Sequence, residues 1–154
     1  MSASYTSELA ETLAADLLRR FERYVRIDTQ SAIERERSPS TPGQLDLGRV
    51  LVEELAAAGL SDAALDDNGY VTATLPGNAA NGTVIGLIAH VDTSPDAPGA
   101  GVEPLVHRNY GGGLIELPRE GTRLDPAAMP ELSAKVGHDL VTSSGDTLLG
   151  ADDK

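Results

Sequence analysis

The chain of 154 residues has no cysteine and no tryptophan, and its aromatics amount to one phenylalanine and four tyrosines. Without cysteine there is neither a disulfide framework nor a thiolate metal site, so a bound metal would have to be held by imidazole and carboxylate groups. With so few aromatics the core must be built from Leu, Val, Ile and Ala, and little flat surface remains on which bases or sugars could stack. Basic residues are also scarce: 12 Lys and Arg face 24 Asp and Glu, for a net charge of -12. Such a chain repels phosphate backbones and anionic bilayers, so neither nucleic acid nor a membrane is expected as a partner. Residues 1–26 lack the basic start and apolar run of a signal peptide, and they contain no spanning segment, which favours the cytoplasm.

What the chain does have is the make-up of a folded domain. Hydrophobic residues are 40% and charged residues 23% of the sequence, and the length is enough for one core. From residue 8 to about 26, Leu9, Leu13, Leu17, Leu18, Phe21, Tyr24 and Val25 recur at three-to-four spacing, which predicts a packing helix. A polar run, Asp28-Thr29-Gln30-Ser31, leads into a charged loop. A second helix should start at Thr41, because Thr41 and Gln44 have capping-box spacing and Pro42 occupies the first helical position; Gly59 should close it. Asp67-Asn68-Gly69 between short apolar stretches predicts a hairpin. Residues 83–89, Thr-Val-Ile-Gly-Leu-Ile-Ala, form the kind of apolar run found in strands buried on both faces. Helices followed by such a strand point to an α/β sandwich. A last strand-like pair is expected around residues 140–142 and 147–149.

Two constellations could carry chemistry. His90-Val91-Asp92 follows the apolar run directly, and ligands of open α/β sheets gather beyond the carboxyl ends of strands. Side chains two apart in an extended segment point the same way, so Asp92 can reach the His90 ring and fix its tautomer while the other nitrogen binds a metal. The same spacing also fits an ordinary hydrogen bond between a strand-end histidine and an aspartate. Gly150-Ala151-Asp152-Asp153-Lys154 offers hard oxygen donors, one of which could bridge two cations. It equally fits a solvated acidic turn. His107 and His138 have no carboxylate at a telling spacing and read as surface histidines. Gly111-Gly112-Gly113 lacks the spacing of a phosphate cradle.

Taken together and in order, these segments resemble the metallopeptidase family that includes carnosinases, carboxypeptidase G and the succinyl-diaminopimelate desuccinylases. The shared pattern is His-x-Asp after a buried strand and Gly-x-Asp-Asp-Lys later. Further stretches resemble its tripeptide-aminopeptidase branch: residues 23–31, Pro39-Ser40-Thr41 with Gly43-Gln44, Thr93-Ser94-Pro95-Asp96, Asn109-Tyr110-Gly111-Gly112 and Thr147-Leu148-Leu149. The resemblance implies helices packed on a mixed, largely parallel sheet, a zinc-exopeptidase-like catalytic domain of which residues 1–154 are the N-terminal portion. It also implies two zinc ions per full-length subunit, with His90 ligating one, Asp92 orienting His90 as the catalytic aspartate, and Asp152 bridging both. The implied activity is release of the N-terminal residue from tripeptides by metal-assisted hydrolysis. The remaining glutamates, aspartate and histidine of the family pattern, and the lid that commonly forms a homodimer contact, would lie beyond Lys154, so residues 1–154 alone are expected to be inactive. A related dizinc dipeptidase or deacylase, and an acidic module binding metal or protein without catalysis, are the competing expectations.

Overall fold

The computed structural model describes residues 5, 7–79, 82–119 and 121–150. Two helices come first. Helix α1 (Glu8–Tyr24) starts at Ser7, whose hydroxyl accepts a hydrogen bond from the Ala10 amide at 3.1 Å. Its expected apolar stripe is only half used: Leu9, Leu13 and Leu17 are exposed, while Tyr24 and the following Val25 are buried and Phe21 packs beside them. The helix therefore docks by its last turns.

Helix α2 (Pro42–Ala57) begins where the cap signal puts it, with Thr41 as the cap residue and Pro42 first in the helix. The capping chemistry differs from the expected box. The Thr41 hydroxyl donates to the Gln30 carbonyl at 2.8 Å, and the Gln44 amide donates to the Thr29 carbonyl at 3.4 Å and to the Ser40 hydroxyl at 3.0 Å. Both side chains hold the 28–31 segment in place of the helix end. At the other terminus the Leu60 amide reaches the Leu55 carbonyl and the Gly59 amide reaches the Ala56 carbonyl, both at 3.0 Å. This double closure needs a left-handed residue, and Gly59 supplies it at φ 96°.

Strands β1 (Ala64–Leu65) and β2 (Val71–Thr72) form the expected hairpin against α2. Asp66 organises the turn, its carboxylate accepting from the Asn68 amide at 3.0 Å and the Tyr70 amide at 2.8 Å. Beyond it, β3 (Leu105–His107) pairs antiparallel with β6 (Leu140–Thr142), and β4 (Ile115–Glu116) with β5 (Arg123–Leu124); a single helical turn, α3 (Pro130–Ser133), lies between. Residues 147–149, expected as a strand, form none. Among the described residues no helix is long and apolar enough to cross a membrane.

The described residues are thus a mixture of helices and small antiparallel ladders, and the only parallel pairing among them is a bridge between Gln30 and Thr93. The core gathers Tyr24, Val25, Leu47 and Val102, with Phe21, Ile27, Val50, Leu51, Val91 and Leu149 packed against them.

The largest departure from expectation is residues 83–89. They form no ladder, and Val84, Ile85, Leu87 and Ile88 are 94%, 80%, 95% and 98% exposed. The physical reason is that a strand of this type is buried by its neighbours on both sides, and the described residues supply none. The total accessible surface agrees: it is 10692 Å² for 16.0 kDa, against about 7,400 Å² for a compact monomer of that mass.

Candidate metal centre

The segment 28–31 leaves α1 and runs beside residues 91–93. The Ser31 amide donates to the Thr93 carbonyl at 2.9 Å and the Thr93 amide to the Thr29 carbonyl at 3.2 Å, which makes the parallel bridge. The Gln30 side chain extends the attachment by donating to the Ala97 carbonyl at 2.7 Å. Val91 meanwhile packs on the core. His90 and Asp92, on either side of Val91, are thereby set at the surface of the packed region, and both side chains remain about half exposed.

His90 and Asp92 are brought together as alternation along an extended segment requires. His90 Nδ1 lies 3.3 Å from Asp92 Oδ1 and 2.8 Å from the Asp92 main-chain carbonyl. A proton on Nδ1 serves both contacts and makes Nε2 the nitrogen that carries the lone pair, the form in which imidazole ligates a metal. The other Asp92 oxygen, Oδ2, accepts from the Ser31 hydroxyl. That hydrogen bond, outweighing a partial burial that acts the other way, and the nearby His90 ring hold the Asp92 carboxyl below its ordinary range. Asp92 is therefore an anion positioned at the back of an imidazole.

Of the second constellation only Gly150 is among the described residues, and it comes to the same place. Leu149, like Val91, packs on the core. Gly150 sits so close to Thr93 that a side-chain carbon on it would lie 2.8 Å from Thr93 Cγ2, and the Thr93 side chain would have to shift to admit it. The Thr93 hydroxyl is buried in this junction with no hydrogen-bond partner among the described residues. Asp152, and Asp153 beside it, lie outside the described residues.

Among the described residues no three His, Cys, Asp or Glu side chains converge as a metal site would need. The His90–Asp92 geometry nevertheless fits one imidazole ligand with its orienting carboxylate. The remaining histidines stand apart. His107 was expected at the surface; it is half-buried in β3, with Nε2 3.0 Å from the Thr142 hydroxyl. His138 is exposed, as expected. Sequence reasoning missed the role of Ser31, although a run of short polar residues between a helix and a charged loop was the available signal.

No family model matches the chain. Individual relatives do. The chain is 49% identical over 144 residues to a peptidase T of Bacillus cereus, covering 92% of this chain and 35% of that protein. It is 50% identical over 141 residues to the peptidase T of Bacillus cereus strain B4264, and 49% identical over 141 residues to that of Bacillus thuringiensis strain Al Hakam, each match covering 90% of this chain and 34% of the relative. The chain therefore spans about a third of the length of the curated relatives it matches, and it is similar to peptidase T over nine-tenths of its own length.

Proposed function

We propose that this chain belongs to a zinc-dependent aminopeptidase that releases the N-terminal residue of tripeptides, and that it carries the part of the metal centre formed by His90, Asp92 and Asp152. The observation that carries the reading is the imidazole–carboxylate pair, His90 Nδ1 to Asp92 Oδ1 at 3.3 Å, within a sequence about half identical to peptidase T. In this reading His90 holds zinc through Nε2, Asp92 fixes the ring, and Asp152 bridges two zinc ions. The close approach of Gly150 to Thr93 supports it, because it leads the chain to within two residues of Asp152 beside the His90 segment. Two bound zinc ions would supply an acidified water and positive charge for the developing oxyanion.

The exposed run 83–89 has a place in the same reading. It is a strand of a mixed, largely parallel sheet whose neighbours belong to the two-thirds of the relatives' length that this chain does not match. Its apolar content and its position directly before His90 support this, since the carboxyl ends of such strands are where open α/β sheets bind ligands. The complete enzyme would act on small peptides in the cytoplasm, as a homodimer.

The complete protein should cleave a tripeptide with chelator-sensitive release of the first residue and leave the matching dipeptide intact. The 154-residue chain alone should be inactive. Dipeptide cleavage would move the reading to another dizinc peptidase of the family, and activity indifferent to chelator would overturn it.

A further inference from the structure

We infer that Ser31 is a positioning residue for the metal centre: its hydroxyl holds the Asp92 carboxylate in the orientation that sets the His90 ring. The inference rests on the metal-site reading proposed above. The two oxygens of Asp92 have separate tasks. Oδ1 faces His90 Nδ1 at 3.3 Å, and Oδ2 takes the Ser31 hydroxyl hydrogen bond. Removing the hydroxyl leaves Oδ2 to water and lets the carboxylate rotate away from the ring.

Ser31 is suited to this because its own backbone is fixed from two sides. Toward the site, its amide donates to the Thr93 carbonyl at 2.9 Å, and the Thr93 amide donates to the Thr29 carbonyl at 3.2 Å, so the 28–31 segment and the 91–93 segment keep one register. Away from the site, Thr41 and Gln44 at the start of α2 hold the Gln30 and Thr29 carbonyls at 2.8 Å and 3.4 Å. The residues leading into His90, by contrast, form no ladder and are exposed. The orientation of Asp92 is therefore imposed across the parallel bridge, with Ser31 as the side-chain link.

The test uses the complete protein and measures zinc dissociation by competition with a chelator, together with the unfolding temperature of the zinc-free form. Ser31→Ala should weaken zinc binding about 10-fold or more, the usual size of losing a group that orients a metal ligand. Its zinc-free unfolding temperature should stay close to the parent's. Ser31→Thr, which keeps a hydroxyl, should recover most of the affinity, and His90→Ala should lose it. Parent-like affinity in Ser31→Ala beside a defective His90→Ala overturns the role of Ser31 alone. A loss that Ser31→Thr fails to recover overturns the part assigned to the hydroxyl. Parent-like affinity in His90→Ala overturns the metal-site reading and this inference with it.

Discussion

Apolar side chains on the two sides of His90 have opposite fates. Val91 and Val102 pack into a core with Tyr24, Val25 and Leu47, held by α1, α2 and the 28–31 segment. Val84, Ile85, Leu87 and Ile88, a few residues earlier, are almost fully exposed. The difference lies in the neighbours. The first group has two helices folded over it through local sequence signals, whereas the second needs strands on both sides that the described residues do not supply. An apolar run states what a segment requires, and burial follows only where the rest of the chain meets that requirement.

The contrast can be broken from the packed side first. Leu47 is completely buried at the centre of a small core. Leu47→Ala should destabilise the chain by about 3–5 kcal/mol, near the top of the range for such truncations, because few neighbours can collapse into the gap. Denaturant unfolding followed by circular dichroism would measure it, and a cost under about 1 kcal/mol would show that the helices are not docked on Leu47.

A smaller effect is expected where α1 and α2 are joined by charge. The Glu54 carboxylate accepts from the Tyr24 hydroxyl at 2.5 Å and from Arg23 at 2.7 Å, and it also pairs with Arg20. Burial by itself would raise the Glu54 carboxyl, but the Tyr24 hydroxyl and the two guanidinium groups outweigh it and hold the group below its ordinary value. A carboxylate whose folded pKa is depressed stabilises the fold above its unfolded value, and the contribution is lost as pH falls through the folded one. Stability should therefore decline in acid, below the ordinary carboxylate range, and Glu54→Gln should flatten that decline. At neutral pH Glu54→Ala should cost about 1–2 kcal/mol, chiefly for the Tyr24 hydroxyl left in a buried residue. An acid profile unchanged in Glu54→Gln would remove Glu54 from the account.

The smallest effect belongs to the exposed run. Ile88→Lys in the 154-residue chain should change stability by less than about 0.5 kcal/mol, as at any open surface site. A loss as large as that of Leu47→Ala would mean that the run is packed after all, and the contrast would disappear.

Much of this arrangement was legible in short-range chemistry. Thr41, Pro42 and Gly59 marked the ends of α2, the Asp67-Asn68-Gly69 turn marked the hairpin, and the period of two in His90-Val91-Asp92 set those side chains together. What was not legible depended on distant partners. The pairing of β3 with β6 joins residues about 35 apart, and nothing local to residues 105–107 announces it. Thr41 and Gln44 looked like a self-contained cap, yet each donates to a carbonyl more than ten residues away. Ser31 likewise gains its meaning only from Asp92, 61 positions along the chain.

Hydrogen exchange at the backbone amides of residues 83–89 tests most directly whether this run is a strand that the remainder of a longer polypeptide completes. These amides should exchange as freely as an unstructured peptide in the 154-residue chain and become strongly protected in the complete protein, while those of α2 are protected in both. Free exchange of the 83–89 amides in the complete protein would contradict the account.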